Sequence, residues 1–390
     1  MRILVLSFYY TPDLSAGSFR TTALVKSLQQ KANDSIHVDV ITTLPNRYKS
    51  FNSEAMEYEK SDGIETFRIK LPSHKSGFLD QSKAFVEFAR KTRALVKNRE
   101  YDLVYATSSR LMTAALGAWV AKQKKAILYL DIRDIFVDTI KDVLPRKIAF
   151  IVKPTFSMIE RWTVNQASKV NLVSEGFKTY FETRYPGLSL SFYTNGIDEE
   201  FIHVTRKSVT KTNSGNQINV LYAGNMGEGQ GLHIIIPELA KKMHNRARFT
   251  LIGDGGRKAE LQQALVAAGC DNVVLKPPIN RDALIQEYLN ADVLFLHLND
   301  YPAFRKVLPS KLFEYAALGK PIWGGVAGYA AEFVKGEIEN AVIFYPCNAN
   351  EAGNVFENLK IEDKPRGQFM AKYARTTIMN SMAEDVLTLV

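Results

Sequence analysis

Ser310, Lys311 and Glu314 fall three or four residues apart in the segment Leu308-Pro309-Ser310-Lys311-Leu312-Phe313-Glu314-Tyr315-Ala316-Ala317-Leu318-Gly319-Lys320-Pro321. Residues at that spacing share one face of a helix. Ser310 is of the type that caps a helix start, and Gly319 followed by Pro321 is a stop signal. A helix N-terminus presents free N–H groups and partial positive charge, which favour a phosphate. Lys311 adds a full charge there. A carboxylate one turn further in, Glu314, can accept hydrogen bonds from two ribose hydroxyls. One short helix can therefore hold the diphosphate and ribose of a nucleotide. The competing reading, an ordinary capped surface helix with a Lys/Glu pair, is equally compatible with these residues.

Other segments carry polar groups where an α/β domain binds ligands. Gly224-Asn225-Met226-Gly227-Glu228-Gly229-Gln230-Gly231 is a loop with four glycines in eight residues, following an apolar run and opening a helical pattern. Glycines allow close backbone approach to a ligand, or simply a tight turn. Gly253-Asp254-Gly255-Gly256-Arg257 occupies the same kind of place. In the first half, a long loop runs from Tyr9 to Gly17, Ser18 and Arg20, where Arg20 can meet an anionic acceptor or pair with a carboxylate. Asp131-Ile132-Arg133-Asp134 follows another apolar run, and its side chains can hold sugar hydroxyls or form a structural pair. No phosphate-cradling Gly-x-x-x-x-Gly-Lys loop, Gly-x-Ser-x-Gly or His-Glu-x-x-His is present, and the six histidines have no metal spacing. His297 ends an apolar run and reads more simply as a strand-end histidine.

These candidates need elements to position them. Two stretches share one design. Arg2–Ser7, a loop and the helical pattern Thr21–Lys31 form the first; Ile218–Ala223, the glycine loop and Leu232–Met243 form the second. Each is the opening strand, loop and helix of a doubly wound α/β domain. Further strands are predicted over 36–43, 103–106, 126–130, 170–173, 248–252, 272–275, 293–296 and 341–345, separated by helical patterns, so the sheets are parallel. The polar segment Thr205–Gln217 reads as a linker, with the second domain entered near Asn195-Gly196, and 367–390 reads as one or two helices.

The 390 residues are enough for two domains, and 46% hydrophobic content suits two cores. Two distant cysteines exclude a disulfide framework and fit a reducing compartment. The apolar start Ile3–Leu6 is too short for a signal peptide core, and no apolar run approaches a membrane span. A net charge of +9 suits an anionic partner, whether nucleotide, lipid surface or nucleic acid. The stretches 83–99 and 141–162 mix apolar residues with many cations, and basic amphipathic helices can lie on anionic membranes. The alternative is a core-packing helix with a solvated basic face. The cations form no known nucleic-acid module.

The joint order of these motifs resembles the retaining glycosyltransferases of family 4. The carriers are Tyr9-Tyr10-Thr11-Pro12-Asp13 with Ala16–Arg20, Asp131–Asp134, Asn195-Gly196-Ile197-Asp198, Ala223–Met226, Ile252–Gly255 and Pro309–Tyr315. The resemblance covers nearly the whole chain, and within the family it is to bacterial enzymes that build O-antigen, capsule or other surface polysaccharides. It implies the GT-B fold: α/β, with two Rossmann-like doubly wound parallel-sheet domains facing across a cleft. The expected domains are 1–195 for the acceptor, 196–370 for the nucleotide-sugar donor, and a C-terminal helix, 371–390, able to pack back on the first. It further implies a cytoplasmic enzyme, able to lie peripherally on the inner face of the membrane, that needs no cofactor or metal. The donor would be an NDP-sugar, commonly UDP-linked, and the acceptor a glycan or polyprenyl-diphosphate-linked chain.

By that likeness Glu314 holds the ribose, Ser310, Lys311 and Leu312 meet donor sugar and phosphate, and Gly17 lies near the diphosphate. The stretch Lys276–Ile279 reads the base, with Pro278 and Ile279 as its contacts. Gly224, Asn225, Gln230 and Gly253 complete the expected donor site. Ser18, Arg20, Arg133 and Asp134 face the acceptor, and Lys311, Lys306 and Asp134 are the candidate catalytic residues. The sequence departs from the family at Lys306, where the first of a glutamate pair is usual, and at Asn225 or Met226 and Gln230, where a basic pair is usual. A nucleotide-sugar epimerase of the same architecture, or a non-catalytic partner that kept the fold, are the competing classes.

Overall fold

After Arg2 the run Ile3–Leu6 has no polar side chain, so it must be covered on both faces, as in the middle of a parallel sheet. In a computed structural model, which describes residues 1–13, 15–31, 35–45, 55–72, 78–108, 110–143, 146–204 and 217–390, this run is fully buried. The predicted linker 205–217 lies outside the described residues except for its last position.

The chain divides into two units, Met1–Gly196 with Arg375–Val390, and Ile197–Ala374. The first holds β1 (Arg2–Leu6), α1 (Ala16–Lys31), β2 (His37–Thr43), β3 (Tyr58–Ser61), β4 (Ile64–Ile69), α2 (Phe78–Val96), β5 (Leu103–Thr107) and α3 (Leu111–Lys124). It continues with β6 (Ile127–Ile132), α4 (Phe136–Val143), α5 (Arg146–Asn165), β7 (Lys169–Leu172), α6 (Lys178–Arg184) and β8 (Leu190–Ser191). The sheet order is β3-β4-β2-β1-β5-β6-β7-β8. Every pair is parallel except β3–β4. That antiparallel hairpin turns on Asp62 and Gly63, whose φ of 47° and 77° are the pair a tight hairpin needs.

The second unit holds α7 (Glu199–Ile202), β9 (Ile218–Asn225), α8 (Leu232–Lys242), β10 (Ala247–Asp254), α9 (Lys258–Ala267), β11 (Val273–Lys276) and α10 (Arg281–Asn290). Then follow β12 (Val293–His297), α11 (Lys311–Ala317), β13 (Ile322–Gly325), α12 (Tyr329–Glu337), β14 (Ala341–Phe344), α13 (Ala349–Phe356) and α14 (Gly367–Tyr373). Its all-parallel sheet runs β11-β10-β9-β12-β13-β14, the order of a dinucleotide-binding domain. Trp323 sits at the centre of the core among Phe249, Phe295, Phe344 and Phe356, its indole N–H donating to Ala352 O at 3.1 Å.

The last helix, α15 (Arg375–Leu387), belongs to the first unit. It buries Ile378, Met379, Met382, Ala383 and Val386, and packs on α1. Asp385 accepts from the Tyr129 hydroxyl at 3.0 Å and pairs with Lys169.

In both sheets the first strand lies between the second and the fourth of its unit's parallel strands. That is the switch point, where loops from neighbouring strands leave in opposite directions and open a crevice at their carboxyl ends. In the second unit the crevice lies at the ends of β9 and β12.

Candidate active site

The glycine loop after β9 is built mainly to let the protein approach itself. A methyl group on Gly229 would lie 3.0 Å from the Phe304 ring, and one on Gly231, at φ 57°, would lie 3.0 Å from the Asn299 side chain. On Gly227 it would lie 2.7 Å from Asn225 Nδ2. Gly253 is needed because β10 runs beside β9: its methyl would fall 1.8 Å from Gly224 O. The expectation that Gly253 makes room for a donor is therefore corrected, since backbone fills that room. Asn225 and Gln230 bond one another, Nδ2 to Oε1 at 2.9 Å, and Gln230 Oε1 also accepts from Gly227 N at 3.3 Å. They tie the loop into a single turn of 3-10 helix.

Gly224 is different. Its φ is 150°, and a methyl there would lie 2.3 Å from Lys311 Cε and 2.6 Å from Nζ. The Lys311 side chain thus lies across the end of β9. Among the described residues its ammonium has no hydrogen bond and no ion pair. Burial lowers its pKa, with Glu314 acting against that shift and Arg281 adding to it.

Lys311 opens α11, and Leu312, Phe313, Ala316 and Ala317 are buried as their spacing requires. Gly319 ends the helix at φ 65°, its N–H bonding to Ala316 O at 3.1 Å. Ser310 does not cap it. Its backbone is already helical, at φ −60° and ψ −28°, and its side chain makes no capping bond. A cap needs an extended backbone to aim its oxygen back at the free N–H groups.

Glu314, one turn in, is mostly buried beside two partners that the sequence did not single out. The Tyr288 hydroxyl donates to Oε2 at 3.4 Å, and Arg281 Nη1 stands 3.8 Å from Oε1. Arg281 also binds Asp198 at 2.5 Å and faces Glu200 at 3.6 Å. Its guanidinium lies over the Phe201 ring at 4.9 Å. The Asn195–Asp198 motif thus ends in an aspartate that orients Arg281. No local spacing marks this arginine; only the fold brings α10 beside α11. Pro278 and Ile279 immediately precede α10, whose cap Asn280 accepts from Ala283 N at 2.9 Å. Lys306 closes the 3-10 turn Pro302–Lys306 just before α11.

His297, at the end of β12, is held from both ring nitrogens: Nδ1 meets Gln230 O at 2.7 Å and Nε2 accepts from Cys347 N at 2.9 Å. Accepting at Nε2 makes the ring neutral with its proton on Nδ1, and burial drops its pKa to about 4. It stacks with Phe295 and Phe344 and serves the fold.

In the first unit, Gly17 is the second residue of α1, with a methyl position 3.9 Å from Arg133 Nε. Arg133 donates weakly to Asn195 Oδ1 at 3.5 Å, and its buried Nη1 has no hydrogen-bond partner among the described residues. Burial lowers its pKa, against the pull of Asp131. A guanidinium beside the start of a helix suits an anionic group. Asp134 is exposed next to it. Arg20 and Ser18 are corrected. Both are 0% exposed, out of an acceptor's reach. Arg20 forks onto Asp131 at 2.8 and 3.0 Å and donates to the carbonyls of Tyr193 and Thr194. Asp131 lies inside β6, not beyond it, and also receives Tyr105 and Asn171. The pairing of this motif is thus with Arg20. Among the described residues no cluster of three or more His, Cys, Asp or Glu is placed to hold a metal.

Two doubly wound α/β units, the second with a cation and a carboxylate at its switch point, are the architecture of the GT-B fold. Residues 18–187 match the family described as a glycosyl transferase 4-like domain, and residues 205–377 match glycosyl transferases group 1. The chain belongs to these glycosyltransferases. It is similar to the "Putative colanic acid biosynthesis glycosyl transferase WcaI" of Escherichia coli, 25% identical over 340 residues, 82% of each chain. It is also similar to the lipopolysaccharide 1,2-N-acetylglucosaminetransferase of Salmonella typhimurium, 23% identical over 53% of this chain and 56% of that one. Two solved structures share the fold. Sucrose-phosphate synthase of Thermosynechococcus elongatus has a TM-score of 0.74 at 15% identity, covering 100% of this chain and 99% of its own. HepE of Anabaena, in complex with UDP-glucose, has a TM-score of 0.69 at 18% identity, covering 100% of both.

Proposed function

We propose that this glycosyltransferase moves a sugar from a UDP-linked donor to a glycan or lipid-linked acceptor, with retention at the anomeric carbon, in building a bacterial surface polysaccharide. The observation that carries the reading is the unpaired Lys311 ammonium lying across Gly224, with Glu314 one turn away. The relatives named for colanic acid and lipopolysaccharide synthesis support the product class, and the UDP-glucose bound by HepE supports the donor class.

In this reading the backbone at Pro278 and Ile279 meets the base, Glu314 accepts the ribose hydroxyls, and Lys311 meets the diphosphate. Ser310 and Leu312 line the sugar end, and Lys306 adds a second cation nearby. The bond between the anomeric carbon and the β-phosphate oxygen breaks, its electron pair leaving with UDP. The acceptor oxygen forms the new bond on the same face, and its proton passes to the departing phosphate oxygen. Negative charge grows on the β-phosphate during this step. A cation already in place stabilises that charge without reorganising at the moment of reaction. Within the first unit, Arg133, beside Gly17, is proposed to meet an anionic group and Asp134 the acceptor.

Calorimetric titration of UDP and GDP into the wild type and Glu314→Ala tests the site. UDP binding that weakens in the variant supports it. Equal binding by both proteins, or none by either, would remove the donor from α11.

A further inference from the structure

Glu314 is held from α10 at both oxygens of its carboxylate. Arg281 and Tyr288 stand two helical turns apart, on one face of that helix. Tyr288, fully buried, donates to Oε2 at 3.4 Å, and Arg281 Nη1 faces Oε1 at 3.8 Å. Rotation about the last bond of a glutamate side chain is soft, with no staggered wells to fix the plane of its oxygens. Two neighbours, one at each oxygen, therefore set that plane. An ionised carboxylate has about four acceptor sites. Among the described residues Tyr288 fills one, and the cation at 3.8 Å lies beyond hydrogen-bond range of the other oxygen. Glu314 is thus oriented with most of its capacity to accept still open.

The place of Arg281 is itself built. It opens α10, and its other partners lie at the start of α7 in the same unit. Asp198 takes the guanidinium at 2.5 Å, Glu200 stands at 3.6 Å, and the Phe201 ring centre lies 4.9 Å away. Asp198 has the extended backbone of a helix cap, yet its side chain makes no capping bond and turns to Arg281. The nearer anion draws the cation off Glu314, so Arg281 orients that carboxylate without occupying it. We propose that Arg281, held by Asp198, is the positioning residue of Glu314, and that it makes the site select ribonucleotide donors over 2′-deoxyribonucleotide donors. A ribose presents two adjacent hydroxyls, and an oriented carboxylate takes one on each oxygen. A 2′-deoxyribose presents one, and the second oxygen is left unmatched. The inference rests on the donor site proposed above, with the ribose at Glu314.

The test is calorimetric titration of UDP and of 2′-deoxy-UDP into the full chain, as wild type, Glu314→Ala, Arg281→Met, and Arg281→Met with Asp198→Asn. The double variant leaves no unpaired carboxylate at position 198, and so guards against a single variant that fails to fold. Wild type should prefer UDP by about tenfold or more, the worth of one hydrogen bond to a charged group. Glu314→Ala should abolish the preference. Both Arg281 variants keep the glutamate, yet their preference should fall to about threefold or less, through lost UDP affinity, with 2′-deoxy-UDP binding changed much less. A merely structural arginine would weaken both nucleotides alike and leave their ratio as it was, and that result overturns the inference. If Glu314→Ala loses the preference while both Arg281 variants keep it, the ribose stays at Glu314 and the role of Arg281 is refuted. If wild type binds the two nucleotides equally, or binds neither, the inference falls together with the ribose assignment of Glu314.

Discussion

At the scale of single residues, Lys311 is the group on which donor binding should turn. Its pKa is lowered by burial, and an arriving diphosphate would compensate by favouring the charged form. The sign follows. UDP binds the ammonium form, so affinity is full below the lysine's pKa in the free protein and falls as pH rises through it. Because that pKa sits below the ordinary lysine value, the fall should begin at lower pH than for an unperturbed lysine. Titrating UDP between neutral pH and about pH 10, near the ordinary lysine value, should show it. Lys311→Met should weaken UDP binding about 10- to 100-fold at neutral pH, the loss of one charge-assisted contact, and flatten the profile. A Lys311→Met profile that still falls would place the titration elsewhere. Gly224→Ala tests the same contact from below. The new methyl meets the lysine stem, and the strand must hold φ 150° with a side chain, so UDP affinity should drop while the sheet survives.

At the scale of elements, two buried polar groups hold loops to strands. His297 joins β12 to the glycine loop and to the turn at Cys347. Its folded pKa of about 4 lies below the unfolded value of about 6.5, so the unfolded chain binds more protons between them. Its contribution to stability is full above the unfolded value and is lost as pH falls from about 6.5 towards 4, up to about 3 kcal/mol. His297→Gln should be less stable at pH 7 and lose less on acidification; parallel melting curves for both proteins would refute this role. Arg20 ties α1 to β6 and to the carbonyls of residues 193 and 194. Arg20→Met should cost about 3–5 kcal/mol, because Asp131 is left charged and buried. Adding Asp131→Asn should return part of that, read as a rise in the urea midpoint. No recovery would mean that packing, not charge, dominates the loss.

Elements were also where the sequence was most and least informative. Long apolar runs bounded by polar loops located β1, β9, β10 and β12, since a strand covered on both faces can be made of little else. The short β13 (Ile322–Gly325) and the β3–β4 hairpin were passed over. Two of the four residues of β13 are glycines, and the hairpin's edge strand β3 is exposed throughout, although Asp62-Gly63 is a hairpin signal in its own right. At the site, Lys311, Glu314 and Gly319 were legible because helix punctuation is local. Arg281 and Tyr288 were not, because α10 reaches α11 only through the fold. The sequence assigns Gly253 to the donor for a related reason, and leaves Gly229 and Gly231 open between a ligand and a turn. A glycine announces close approach but not what approaches, and at Gly229, Gly231 and Gly253 it is the protein itself.

At the scale of the whole molecule, the order of the chain and the order of the units differ. The first unit is not finished when residue 196 is reached; it needs Arg375–Val390, which returns after the second unit is complete. Met379, Met382, Ala383 and Val386 are fully buried there, and Gly196 admits the backbone of Arg375 so closely that a methyl would lie 2.6 Å from its Cα. The second unit has its own sheet and its own core, with both ends of the segment meeting where Ile197 N bonds Tyr373 O at 2.8 Å. The consequence is an asymmetry that truncation should expose. Residues 197–374 expressed alone should fold cooperatively and bind UDP within a few-fold of the full chain, since Lys311, Glu314, Arg281 and Gly224 all lie within them. The chain stopped at residue 374 should keep the second unit's melting transition and lose the first, because removing α15 strips several fully buried side chains at about 2–3 kcal/mol each from a domain whose total stability is only about 5–15 kcal/mol. Calorimetry of the two truncations resolves this. Two intact transitions in the 1–374 protein would make α15 an accessory rather than a part of the first core, and a 197–374 protein that folds yet ignores UDP would mean that the first unit supplies the decisive donor contacts.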